Sequence, residues 1–265
     1  MFKGNFGPNR GLIRFAENSL GYMNDVTFRD NYTNDGGNSW GVNIHAAFAH
    51  ICMNNVTSYN NYNKNGVDGN SIIAFNSDGG WIVVNSTIID KVPGGLLRAN
   101  NTKINNVATT RKMSICNNIL LNEFAADKMF VFYNNDQLVD KGHNLMSCSA
   151  NPTNGASTNL LSQKASTLSG SYSENWTGTH PYGVYLWSNA LTGFTPATGN
   201  EVYEAIAAYT ETDTNVVASS TIGADFYNWL KSIGAVTESG DQKIFKDGRG
   251  VTRTGNMWPG AYQAN

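Results

Sequence analysis

Four stretches in the first half of the chain share one alternation of apolar and polar positions. They are Tyr22-Met23-Asn24-Asp25-Val26-Thr27-Phe28, Cys52-Met53-Asn54-Asn55-Val56-Thr57-Ser58, Val83-Val84-Asn85-Ser86-Thr87-Ile88-Ile89 and Ile115-Cys116-Asn117-Asn118-Ile119-Leu120-Leu121. Apolar residues recur at alternate positions around a central asparagine, which is the period of a strand, and no sustained i, i+3, i+4 pattern competes with it. The central residues Asn24, Asn54, Asn85 and Asn117 are separated by 30, 31 and 32 positions. A period of that length means stacked supersecondary units. A second strand-like piece recurs between them: Leu12-Ile13-Arg14-Phe15, Val42-Asn43-Ile44-His45, Ile72-Ile73-Ala74-Phe75 and Leu96-Leu97-Arg98-Ala99. Each repeat is therefore several short strands joined by Asn- and Gly-rich bends. Stacking such coils predicts a parallel β-helix, in which each strand pairs with its counterpart one coil away.

The asparagines then have a physical task. A bend leaves backbone groups unpaired inside the coil, and an amide side chain both donates and accepts. Stacked at about the strand spacing of 4.8 Å, Asn24, Asn54, Asn85 and Asn117 are expected to form a ladder. Cys52 and Cys116 lie two coils apart, about 9–10 Å at that spacing and beyond disulfide reach. Cys148 follows Cys116 by one period. The three cysteines read as small buried hydrophobes.

The regularity fades after Asn135, with Gly142-His143-Asn144-Leu145-Met146 as one more strand. Residues 147–170 read as loop. Aromatics gather between Tyr172 and Trp187, with Trp176, Tyr182 and Tyr185 between them and His180-Pro181 in their midst. Two helical patterns follow, over 201–209 and 224–234, the second closed by Gly234 as its C-cap. Residues 1–146 are thus the coils, and residues 147–265 a loop-rich, partly helical region ending in a terminal strand motif. That region is expected to cap the C-terminal end of the coils, because an open end exposes strand edges and core. The aromatic stretch serves that cap or a sugar platform. A repeat-like strand already begins at Leu12, so an upstream portion or a partner is expected at the other end.

Composition narrows the class. Charged residues are only 14% of the 265, the net charge is −2, and there are 37 asparagines and 27 glycines. Asn and Gly tolerate the left-handed conformations that tight bends require. No basic stripe is present to bind nucleic acid, and no apolar run approaches the roughly 18 residues of a membrane span. Met1-Phe2-Lys3-Gly4-Asn5-Phe6-Gly7 lacks the apolar stretch of a signal peptide, so the chain is read as one that starts inside a longer protein or after a removed leader.

The columns of asparagine and aliphatic residues over about residues 10–146 resemble the right-handed parallel β-helix repeat proteins of the pectate-lyase-like superfamily. Lys246-Asp247-Gly248-Arg249-Gly250-Val251-Thr252-Arg253, followed by Trp258-Pro259-Gly260-Ala261-Tyr262-Gln263, resembles the terminal D-x-x-G-x-x-R and GAY elements of β-helix proteins with variable cell-surface anchors. Gly142-His143-Asn144-Leu145 is similar to their G-x-N-L element. Trp258-Pro259 and Gln263 depart from the common form and resemble the versions found in gut-dwelling Gram-negative anaerobes. The resemblance implies an all-β, right-handed parallel β-helix with a C-terminal cap holding one or two short helices, at the outer cell surface or outside the cell.

Candidate chemistry is sparse. Aligning the second strand places Arg14, His45, Ala74 and Arg98 in one outward column, and guanidinium groups suit the carboxylates of uronic acids. The column Arg29, Tyr59, Asp90, Asn122, with Asp30, Asn60, Lys91 and Glu123 beside it, reads as mixed polar surface. Asp68 and Asp78 are explained by their glycine-rich turns. No CxxC or HExxH spacing suggests a metal. The expectation is a secreted or surface protein that binds a polysaccharide or host glycan or mediates adhesion, with no cofactor. The alternative is a polysaccharide lyase, then with Ca²⁺, or a glycoside hydrolase acting on an acidic polysaccharide. A hydrolase needs two carboxylates about 5–9 Å apart.

Overall fold

In the computed structural model the described residues are 1–7, 11–15, 19–33, 41–47, 49–64, 70–75, 80–100, 113–132, 138–173, 183–187, 193–211, 222–236, 246–248, 250–253 and 257–261. The repeat folds into stacked coils whose strands form three parallel sheets. The first contains β1 (Phe2–Lys3), β4 (Thr27–Arg29), β8 (Thr57–Asn63), β11 (Thr87–Lys91), β14 (Ile119–Asn122) and β17 (Leu145–Met146), with β5 (Tyr32–Thr33) also on β8. The second runs β3 (Leu20–Asn24), β7 (His50–Asn54), β10 (Gly80–Val84), β13 (Met113–Cys116) and β16 (Leu138–Asp140). The third runs β2 (Ile13–Phe15), β6 (Gly41–Ala47), β9 (Asn70–Phe75), β12 (Gly95–Asn100) and β15 (Phe130–Phe132). An antiparallel hairpin of β18 (Ser169–Ser173) and β19 (Gly183–Trp187) lies beside β8.

The corner between the second and first sheets is turned at one residue per coil. Asp25, Asn55, Asn85, Asn117 and His143 have φ of 58°, 53°, 50°, 60° and 59°. Asn and Asp tolerate this left-handed region better than other side chains, which accounts for part of the asparagine excess.

Alternation along each strand then sorts the core. Ile51, Met53, Trp81, Val83, Met113 and Ile115 point into the coils, with Phe28, Ile44, Ile72, Ile88, Leu97 and Leu120 from the other sheets. The intervening Cys52, Ile82, Val84 and Cys116 point outward, and they are equally buried. A strand apolar on both faces must be covered on both. The cover is α1 (Gly199–Glu211) and α2 (Ile222–Ser232), which bring Val202, Ala205, Ile206, Phe226 and Leu230 onto that outer face. Gly234, at φ 69°, closes α2 as the sequence suggests. The helices therefore flank the coils, where an end cap was expected. The end is closed instead by residues 147–163: Leu160 pairs with Leu145, and Leu161 packs on the inner core. All three cysteines are free and buried.

The tail clamps the same corner. Arg253 donates to Trp258 O (3.0 Å), Gly260 O (2.7 Å) and Asn55 Oδ1 (3.0 Å). Gly260 N donates to Asn117 O at 3.0 Å, and Ala261 N to Thr87 Oγ1 at 3.0 Å. Asp247 Oδ1 accepts from Val251 N at 3.2 Å. Gly260 has φ 96°, and a Cβ there would stand 2.6 Å from Thr87 Oγ1 and 2.8 Å from Ile119 Cδ1. Gly260→Ala is expected to cost about 2 kcal/mol in denaturant unfolding, since both strain and overlap oppose it. Arg249, Tyr262 and Gln263 lie outside the described residues, as do Asp68, Asp78, Trp176, His180 and Tyr182.

Candidate functional site

The four sequence-selected asparagines do meet, though not in one register. Asn24 pairs with Asn54, but Asn54 pairs with Val84 and Val84 with Cys116, so Asn85 and Asn117 sit one position later, at the left-handed corner. Their side chains bridge the step: Asn54 Nδ2 donates to Asn24 Oδ1 (2.6 Å), Asn85 Nδ2 to Asn54 Oδ1 (2.9 Å) and Asn117 Nδ2 to Asn85 Oδ1 (2.7 Å). The next corner residue is His143, whose ring turns away to Thr195 O (2.6 Å) and Glu201 Oε1 (3.0 Å).

Arg14, His45 and Arg98 belong to the third sheet. Arg14 pairs with His45, His45 with Ile73 and Ile73 with Arg98. A bulge between Gly41 and Ile44 shifts the register, so Ile73 occupies the place assigned to Ala74, which pairs with Ala46. Arg14 is exposed and Arg98 half-buried, while His45 is buried. The column is therefore not a continuous open groove.

The polar column read as surface divides into two faces. Arg29 pairs with Tyr59 and Tyr59 with Ile89; Asp90, next after the outward Ile89 and two after the inward Ile88, points inward by ordinary alternation, while the extra residue of the bulge between Ile89 and Lys91 lies in β8. Asp90 and Asn122 are buried. A second ladder runs there: Asn5 N donates to Asn31 Oδ1 (2.9 Å), Asn31 N to Asn61 Oδ1 (2.9 Å) and Asn61 N to Asp90 Oδ1 (2.8 Å). Asp90 also accepts from Asn61 Nδ2 (2.8 Å), from Ser58 Oγ (2.6 Å) and from Ser71 Oγ. Burial pushes its carboxyl above the usual range, against the pull of these donors.

In an extended chain the residue after an inward one faces out. Asn5, Asn31, Asn61 and Asp90 are followed by Phe6, Tyr32, Tyr62 and Lys91. These stand in register on the outside: Phe6 on Tyr32, Tyr32 on Tyr62, Tyr62 on Lys91. Ring centroids are 5.4 Å apart for Phe6–Tyr32 and 5.8 Å for Tyr32–Tyr62, the latter stacked at 18°. Lys64 Nζ lies 5.9 Å from the Tyr32 centroid. Lys91 Nζ is 4.0 Å from Glu123 Oε2. The result is a stripe parallel to the coil axis, three aromatic rings and then an ion pair, with the hairpin β18–β19 alongside β8. Tyr59, at its edge, has its phenol pushed upward by burial and by Glu123 and Asp30. The recurring doublets Asn5-Phe6, Asn31-Tyr32 and Asn61-Tyr62 were the sequence signal for this stripe.

Beyond Glu123 the surface dips into a cleft of about 420 Å³ walled by Asn122–Phe124 on one side and Ser162–Ser166 on the other. A neighbouring cleft of about 400 Å³, lined by Asp127, Met129, Phe130, Cys148 and residues 149–153, lies across the same loop. A half-buried carboxyl, Asp140, is held within the coil end by Gly142 N (2.7 Å), Asn144 Nδ2 (2.9 Å), Ala156 N (3.1 Å) and Asn159 Nδ2. Burial raises it also. Neither Asp90 nor Asp140 faces the stripe. Among the described residues, no group of three or more His, Cys, Asp or Glu could hold a metal ion, and no helix is long and apolar enough to cross a membrane. Comparison with family models, with curated proteins and with solved structures gave no match.

Proposed function

We propose that this β-helix is a secreted or surface protein that binds a glycan chain along the axial stripe, without transforming it. The observation that carries this reading is the register of Phe6, Tyr32 and Tyr62, one ring per coil, running into Lys91 and Glu123. Because the rings stack on one another, an approaching chain meets their edges, the positive part of the ring quadrupole, which suit sugar oxygens. Tyrosine adds a hydroxyl that both donates and accepts. The Lys91–Glu123 pair supplies charged hydrogen-bonding partners for hydroxyl groups. A linear polysaccharide lying along the axis would repeat its contacts coil by coil. An anionic chain would gain further contacts from Arg14 and Arg98 on the third sheet, whereas His45, being buried, offers none.

The test is retention on a panel of acidic and neutral polysaccharides, by affinity electrophoresis. The Tyr32→Ala/Tyr62→Ala double variant is expected to lose at least tenfold in affinity for the retained polymer while keeping its circular dichroism spectrum. Retention equal to that of the wild type would remove the stripe. The same incubations, followed for ultraviolet-absorbing unsaturated products and for new reducing ends, should show no turnover. Product release would replace the binding reading by the lyase or hydrolase one.

A further inference from the structure

The cleft at the end of the stripe contains an aromatic ring in an unusual position. Phe124 is 60% exposed and belongs to none of the three apolar clusters formed by the described residues. Leaving a phenylalanine in water forgoes the free energy of burying it. A loose loop would fold such a ring down; this loop is tied in place. Asn122 Oδ1 accepts from Phe124 N (3.1 Å) and Ala125 N (3.2 Å), and Asn122 Nδ2 donates to Lys128 O (2.9 Å). Ser147 Oγ holds Ala126 O at 2.8 Å, and Asp127 Oδ1 accepts from Ser149 N at 2.7 Å and Ser149 Oγ at 2.9 Å. These bonds hold the Asp127 carboxyl below its usual range.

The facing wall is polar and strained. Ser162 sits at φ 58°, in the left-handed region that a side chain disfavours. Gln163 is fixed by its own bond to Leu161 O at 2.8 Å, and Lys164 follows it. Strain held at the wall of a cleft marks a site better than strain elsewhere. One exposed ring opposite hydroxyl, amide and charged groups matches a pyranose, which has an apolar C–H face and a rim of hydroxyls.

We infer that this cleft is a subsite for one terminal hexopyranose, stacked on Phe124 with its hydroxyls toward Ser162, Gln163 and Glu123. The inference takes its ligand class from the glycan-binding reading above. Glu123 belongs to both places, so a chain on the stripe ends in the cleft, where the 162–166 segment forms the far wall.

The probe is the set of methyl β-glycosides of glucose, galactose and N-acetylglucosamine, followed by saturation-transfer NMR on the full chain. At least one is expected to bind, with transfer concentrated on the C–H protons of one sugar face. Phe124→Ala should weaken it at least tenfold, and Phe124→Trp should keep it. Because Phe124 is exposed, its substitution is expected to leave thermal unfolding unaltered. Binding that survives Phe124→Ala overturns the inference. So does failure of every methyl glycoside while polysaccharide is still retained through Tyr32 and Tyr62, an outcome that leaves the stripe standing. Monosaccharide binding lost in Phe124→Ala, together with polymer retention indifferent to the tyrosines, upholds the cleft and removes the stripe.

Discussion

Asp90→Ala is expected to destabilise the protein by about 3–5 kcal/mol, because it leaves several buried donors without an acceptor. The Ser58 and Ser71 hydroxyls, Asn61 N and Asn61 Nδ2 all converge on this one carboxyl. Asp90→Asn should behave differently. Its Oδ1 can take both bonds from Asn61, and its Nδ2 can donate to the serine oxygens, so the ladder Asn5–Asn31–Asn61 gains a fourth amide. The pH dependence separates the two effects. Burial raises the Asp90 carboxyl above its unfolded value, so its stabilising share is complete below the ordinary carboxylate range, near pH 4, and is lost as pH rises through the folded value. Asp90→Asn should therefore match or exceed the wild type at neutral pH and lose that advantage in acid. Asp140, raised by the same cause, keeps its own slope of the same sign in both proteins. Urea unfolding at a series of pH values measures this. A wild type that outlasts Asp90→Asn increasingly as pH rises would contradict the assignment of the buried carboxyl.

Arg253→Ala is expected to cost about 2–4 kcal/mol, the scale for losing hydrogen bonds from a buried charged donor and leaving their acceptors unpaired. Arg253 is 5% exposed, and its guanidinium joins Trp258 O and Gly260 O of the tail to Asn55 of the coil. Lysine is a point charge without the planar fork, so Arg253→Lys should recover little. The readout is local: hydrogen exchange should accelerate at Gly248, Gly260 and Ala261, whose amides bond to Ala261 O, Asn117 O and Thr87 Oγ1. The inner strand β10, sealed between two neighbours, should exchange as before. Unchanged protection of the tail would show that Arg253 is not its clamp.

The stacking of Tyr22 to Phe28, Cys52 to Ser58 and their counterparts was legible because strand alternation and a period near thirty are local properties of a chain. So were both helices, whose periodicity and Gly234 stop are likewise local. Register was less accessible. Ala74 was placed beside His45 by counting residues, and the bulge at Gly41–Ile44 adds one that counting cannot locate; Asn85 was placed beside Asn54 by its match to the repeat, although Val84 holds that place. Asp90 looked like surface because it was grouped with Arg29 and Tyr59, whose place in the register belongs to Ile89; one residue of slip reverses a side chain's face.

The sequence by itself determined the coil, because its repeating alternation admits one way to bury the apolar positions and its asparagines suit the corners. Only the tertiary structure decided where the second half goes. The outward Cys52, Ile82, Val84 and Cys116 are apolar and need cover, so the helices settled along the flank, and the short segment ending at Leu161 closed the end. The axial rings and the Phe124 cleft arise the same way: they depend on which residues of neighbouring coils fall side by side on the outside, a fact that exists only once those coils are in contact.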